Sequence, residues 1–210
     1  MNFQDLLHLI YIRLKEPLPG KKAHFKLAPY RKTTQDIDYT KYNPKLASTL
    51  LLLYEKQQEI KFVLIQRPDY SGTHGGQISF PGGKNEPGEN LKETAIRETF
   101  EEIGIAKDDI TVLGELTEVF VPPSNFLISP FIAYLDAAPQ FKADKKEVKK
   151  IIEVNLSELF KKNLILEKEI IVGKNTGNAM KIKVPYMDLH NHTVWGATGV
   201  ILSEFKDLIS

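Results

Sequence analysis

The stretch from Phe80 to Ile105, FPGGKNEPGENLKETAIRETFEEIGI, constrains this chain more than any other. Phe80-Pro81-Gly82-Gly83 predicts a tight turn, because glycine lets the backbone take positive φ and approach a ligand closely. Pro87-Gly88 predicts a second turn. A helical pattern then begins, with Asn90 and Glu93 placed as an N-cap and its N3 partner. Gly104 supplies the left-handed residue that commonly ends a helix. A wheel at about 100° per residue puts Leu91, Ala95, Ile96, Thr99, Phe100 and Ile103 on one side, expected to pack against a sheet. Glu98, Glu101 and Glu102 stand at i, i+3 and i+4 on the other.

Like charges at that spacing repel, and more strongly if partly buried. A hard divalent cation removes the conflict, and carboxylate oxygens are what magnesium and manganese prefer. Arg97, four residues after Glu93 and four before Glu101, can brace the acidic face without sitting on it. An isolated run of three glutamates is usually a solvated helix face. Here it is tied at fixed spacing to other residues: Gly83, five residues, Glu89, seven residues, Arg97-Glu98, then Glu101-Glu102 and Gly104-Ile105. That pattern resembles the signature of the Nudix hydrolases. Thr99 departs from it, standing where the family usually carries an aliphatic residue, which touches packing and leaves the ligands intact.

The resemblance implies an α/β/α sandwich around a mixed β-sheet. It also implies hydrolysis of a nucleoside diphosphate linked to another moiety, by water attack on phosphorus. Glu98 and Glu102, assisted by Glu101 and the Gly83 carbonyl, would hold Mg2+ or Mn2+, and Glu89 and Arg97 would orient them. The general base stays open among Glu98, Glu101 and a loop carboxylate, Glu147, in the polar segment that also carries Asp144.

Upstream, Leu64, Arg67, His74, Gly76 and Phe80-Pro81-Gly82-Gly83 resemble the additional motif of the coenzyme A pyrophosphatase branch. Ile65-Gln66 and Pro68 replace the Leu-Thr and Ser common there, and Gly72-Thr73 stand where a second arginine is expected. The branch implies cleavage of coenzyme A to 3′,5′-ADP and 4′-phosphopantetheine, with Arg67, His74, Gly76 and Gly82 against the substrate. Asn125, in Val121-Pro122-Pro123-Ser124-Asn125, is a further candidate substrate contact, though hairpin geometry alone also explains it. The basic residues Lys21, Lys22 and Arg31 could meet a 3′-phosphate. Competing substrates are ADP-ribose, dinucleotides and nucleotide sugars. A non-catalytic Nudix sensor is a different class, and the intact glutamates speak against it.

Composition sets the outer bounds. A net charge of +1 implies no charge-driven affinity for nucleic acid or anionic membrane. The absence of cysteine excludes disulfides and thiolate zinc sites, and no apolar run of membrane-spanning length occurs. A cytoplasmic protein binding a small nucleotide is expected, with room for a homodimer. Residues 1–44 read as a helix (Phe3 to Leu14) and an arm from Lys15 to Asn43 lacking regular structure, both packing on a domain of residues 45–210. Within that domain, strands are expected at Leu46–Tyr54, Ile60–Arg67, Gln77–Phe80, Ile110–Val121, Phe126–Leu135 and Lys150–Val154. A short helix follows at Leu156–Lys161. A hairpin (Leu164–Val172 and Ala179–Met187) and a closing helix that ends at Leu208 complete the chain, with His190 and His192 in a surface turn.

Overall fold

A computed structural model describes residues 1–28, 38–69, 75–172 and 180–210. Helix α1 (Phe3–Arg13) and a short helix α2 (Gly20–His24) precede strand β1 (Lys45–Lys56), the axis of the main sheet. Gln57 and Gln58, both at positive φ (56° and 62°), turn β1 back into β2 (Glu59–Gln66). Positive φ at both central residues is what a two-residue hairpin needs to match the twist of its strands. Strands β3 (Ile78–Ser79) and β4 (Gly82–Lys84) lead into α3 (Leu91–Ile103). Then come β5 (Thr111–Glu115), β6 (Val119–Val121), β7 (Phe126–Tyr134) and β8 (Lys150–Asn155). β1 runs parallel to β7 from Lys45↔Phe126 to Leu53↔Tyr134, while its other neighbours, β2 and β4, are antiparallel, so the eight-stranded sheet is mixed.

Leu50 through Tyr54 are all buried because both faces of the sheet are covered. Leu50, Leu52 and Tyr54 join Phe131 and Ala133 beneath α3, against Ala95 and Ile103. Leu51 and Leu53 point the other way, into a core with Phe3, Leu6 and Ile10 of α1. Leu202 and Phe205 of α4 (Gly196–Leu208) fill the same layer. This is the expected sandwich. A separate three-stranded sheet, β9 (Ile165–Val172), β10 (Met180–Leu189) and β11 (His192–Val194), packs beside it. No described helix is long and apolar enough to cross a membrane.

Several boundaries differ from the sequence reading. The Lys15–Asn43 arm is not without regular structure, since it holds α2 and a 3-10 turn at Tyr39–Tyr42. Ala23, Leu27 and Ala28 are buried and draw it onto α4, where Ser203 Oγ donates to the Ala23 carbonyl at 2.8 Å. The expected strand Ile110–Val121 is interrupted between β5 and β6, where Leu116 turns into the core and the Thr117 N–H and hydroxyl both donate to Glu204. His192 sits in β11 rather than in a turn.

α3 carries the expected cap in full. The Asn90 side chain accepts from the Glu93 N–H at 3.0 Å and the Glu93 carboxylate accepts from the Asn90 N–H at 2.8 Å, and Gly104 closes the helix at φ 75°. Asn90→Ala breaks one half of that box. It should lower the unfolding free energy by about 1 kcal/mol in urea titration, leaving the cooperativity of unfolding unchanged.

Candidate active site

α3 is rolled relative to the simple wheel. Phe100, expected inside, is 48% exposed, with Lys107 Nζ 5.8 Å from its ring centre, whereas Glu102, expected outside, is 2% exposed. The reason lies in β4. A Cβ on Gly83 would fall 2.3 to 2.5 Å from the Glu98 carboxyl atoms, so the helix approaches backbone with no side chain between them. The Gly82 N–H, at φ 152°, donates to Glu102 Oε2 at 2.8 Å. Polar backbone faces the helix there, and a carboxylate fits where a phenyl ring would leave that N–H unpaired.

Arg97 organises the flank. It donates to Glu89 at 2.8 and 3.0 Å, to Glu98 Oε1 at 2.8 Å, to Glu101 Oε2 at 2.9 Å and to the Lys84 carbonyl at 3.1 Å. The Arg97–Glu89 pair foremost, with the Glu86 N–H and the Thr94 hydroxyl, holds the Glu89 carboxyl down at about 2 against the opposing effect of burial. Glu101 is thereby spent on Arg97 at the exposed side. Among the described residues, the carboxylates whose oxygens come within 4.8 Å of one another are those of Glu98, Glu102 and Glu147.

Glu147 reaches the cluster because its loop is tied to the end of α3. The Lys142 N–H donates to the Ile103 carbonyl at 2.9 Å and the Asp144 N–H to the Glu102 carbonyl at 3.0 Å. Asp144 then caps its own turn by accepting from the Lys146 and Glu147 N–H groups, and Val148 anchors the far side in the core.

Electrostatically the cluster is under-compensated. Burial pushes the Glu102 carboxyl up to about 8; the Gly82 N–H and Arg67, 3.9 Å away, oppose this, while Glu98 and Glu147 add to it. Burial also raises Glu98, against the pull of Arg97. Three mutually close carboxylates, two of them raised, form an all-oxygen donor set suited to a hard divalent cation.

The remaining sequence candidates separate. Arg67 donates to the Gly82 carbonyl at 3.1 Å, so it backs the glycine turn from the side of Glu102. Gly76 is at φ 71° next to Asp69. Asn125, in the left-handed region (φ 54°), spends its side-chain amide on the Tyr42 carbonyl at 3.1 Å. Lys21 and Lys22 lie on α2, in the layer across the sheet from α3, because the arm is held on α4. His74 and Arg31 fall outside the described residues. Asn85 and Thr94 were not anticipated. Thr94 Oγ1 donates to Glu89 Oε1 at 2.8 Å, and the Asn85 amide donates to Thr94 Oγ1 and to the Glu89 carbonyl. Glu89 precedes the helix, so no periodicity links it to Thr94.

Comparison with known proteins agrees with this geometry. The NUDIX domain family model matches residues 44–171. Nudix hydrolase 3 of Caenorhabditis elegans is 28% identical over 181 residues, covering 78% of this chain and 72% of that one. The peroxisomal coenzyme A diphosphatase ndx-8 of the same organism is 38% identical over 116 residues, covering 53% of this chain and 49% of that one. An uncharacterized Nudix hydrolase NudL of Yersinia enterocolitica is 29% identical over 153 residues, covering 72% of this chain and 75% of that one. Among solved structures, a MutT/nudix family protein from Enterococcus faecalis shares the fold, with a TM-score of 0.50 at 18% identity over 79% of this chain and 62% of that one. With the family model spanning β1 through β9 and the carboxylate cluster built on its helix, the chain belongs to the Nudix family and is a Nudix hydrolase.

Proposed function

We propose that this enzyme hydrolyses the diphosphate of coenzyme A or its derivatives to 3′,5′-ADP and 4′-phosphopantetheine, with magnesium or manganese held by Glu98, Glu102 and Glu147. The convergence of those three carboxylates carries the reading of metal-assisted hydrolysis. A divalent cation bound there would neutralise the cluster and polarise the diphosphate as a Lewis acid. The chain's own residues do the rest. Arg97 fixes Glu98 and Glu89 in place, and the Gly82 N–H and Arg67 fix Glu102. Glu147 is the exposed member of the cluster, so its carboxylate can take the proton of the attacking water and pass it to solvent. The new P–O bond forms from that water as the bridging P–O bond breaks. Positioning and charge neutralisation account for most of the catalysis in such a transfer.

The coenzyme A assignment is supported by the similarity to ndx-8 and by Arg67 and Gly76 of the upstream motif. Incubation with magnesium and, in parallel, coenzyme A, ADP-ribose and a nucleotide sugar tests it. The expected products from coenzyme A are separable by chromatography and identifiable by mass. A much higher kcat/KM for ADP-ribose or the nucleotide sugar would overturn the coenzyme A assignment while leaving the hydrolase chemistry in place.

A further inference from the structure

Two buried hydroxyl oxygens, Ser79 Oγ and Thr49 Oγ1, have no hydrogen-bond partner among the described residues. A hydroxyl hidden from water normally finds a partner, because leaving it unpaired forfeits its hydration for nothing. The two lie on opposite faces of the main sheet. By the two-residue alternation of β1, Thr49 shares the face of Leu51 and Leu53, in the core completed by α1 and α4. Ser79 faces the other way. It pairs with Ile65, which packs beneath α3, whereas the next residue, Phe80, lies in the core with α1 and α4.

That face of β3 borders the carboxylate cluster. Arg67 stands two residues beyond Ile65 on the same face, and its backbone N–H donates to the Gln77 carbonyl at 3.0 Å. The Arg67 guanidinium lies 3.9 Å from Glu102 Oε1 and donates to the Gly82 carbonyl at 3.1 Å. The Gly82 N–H donates in turn to Glu102 Oε2 at 2.8 Å. Ser79 thus stands between the two groups that hold Glu102, with Arg67 across the strand pair and Gly82 three residues along the chain. Glu102 is also the most buried carboxylate of the cluster, so its orientation is set by protein donors rather than by solvent.

We propose that Ser79 is a positioning residue of the metal site, its hydroxyl donating to the Glu102 carboxylate when that carboxylate ligates a divalent cation. This role rests on Glu98, Glu102 and Glu147 holding magnesium or manganese. A ligating carboxylate keeps lone pairs for outer donors, and each bond from a fixed donor narrows the directions in which it presents its oxygens. Arg67 approaches Glu102 only to 3.9 Å, so among the described residues the Gly82 N–H is the donor within hydrogen-bond length. A second donor from the floor of the site completes the support. Thr49 carries the same chemistry but faces away, which makes it the internal comparison.

Manganese titrated calorimetrically into protein stripped with EDTA and desalted measures this effect apart from turnover. Ser79→Ala should weaken manganese binding about tenfold or more. The metal-free Tm of that variant should match or exceed the parent's, since an unpartnered hydroxyl is removed and no hydrogen bond is lost. Ser79→Thr, which keeps the hydroxyl, should recover most of the affinity. Thr49→Val removes the other hydroxyl at nearly constant shape and should leave manganese binding as in the parent. A Ser79→Ala protein that binds manganese as tightly as the parent would overturn the role of Ser79 and leave the metal site standing. Equal losses in Ser79→Ala and Thr49→Val, or a lower metal-free Tm in Ser79→Ala, would also overturn it, because the hydroxyl would then serve the packing of the sheet. A parent that binds neither manganese nor magnesium removes the metal site itself, and the role of Ser79 with it.

Discussion

Glu102→Gln is expected to lower turnover about 100-fold or more, a loss of about 3 kcal/mol in transition-state stabilisation, while making the EDTA-treated protein more stable. The two effects have one cause. Glu102 is 2% exposed among like charges, and burial there disfavours its charged form unless a cation sits against it. Its folded pKa of about 8 lies well above the ordinary carboxylate value of 4.5. The folded state therefore binds the proton more tightly than the unfolded chain does. The stability this contributes is complete below about pH 4.5 and drains away as pH rises towards 8. Glutamine has no charge to desolvate and can still accept from the Gly82 N–H. Without metal, the Tm difference between mutant and parent should thus be small near pH 4.5 and grow in the mutant's favour up to pH 8. Added magnesium should raise the Tm of the parent increasingly with pH, because the cation competes with that proton, and should raise that of the mutant much less. Full activity of Glu102→Gln at saturating magnesium would remove Glu102 from the metal site.

Adjacent glycines should fail in opposite ways. In Gly82→Ala the new Cβ would lie 2.3 Å from the Ser48 carbonyl oxygen and 2.7 Å from Thr49 Cα, with φ at 152°. Neither atom can yield, because Ser48 and Thr49 are paired on both sides, to β4 and to β7. Overpacking and the strained backbone together should cost about 2–6 kcal/mol, measurable by urea unfolding. Activity should fall with it, since the same residue holds Glu102 through its N–H and Arg67 through its carbonyl. In Gly83→Ala the clash is with the end of the Glu98 side chain, which can swing aside. That variant should keep most of its stability and lose metal affinity. Gly88→Ala is the control: its φ of 93° is unfavourable for alanine, but nothing lies within 4 Å of the new Cβ. A Gly82→Ala protein as stable as Gly88→Ala would show that β4 does not press on β1 as tightly as described.

Much of this protein was legible in the chain itself, because some interactions are local. The Asn90–Glu93 box, the Gly104 stop and the bracing of Glu101 by Arg97 all lie within a turn or so of helix, where spacing alone dictates contact. The run of apolar residues from Leu50 to Tyr54 was likewise legible as part of a strand, and the sheet covers it on both faces. What only the tertiary structure decided is which glutamates meet. Glu101 and Glu102 are neighbours in sequence with the same chemistry, yet one is 48% exposed by side chain on Arg97 and the other is buried against Gly82. The difference is the roll of α3 over a stretch of backbone without side chains, set by the register of β4 on β1. Glu147 joins them from a loop that no periodicity marks, carried there by backbone bonds to the last turn of α3. Helical spacing is a property of the chain, but the partner of a charge across a sheet or a loop is a property of the folded whole.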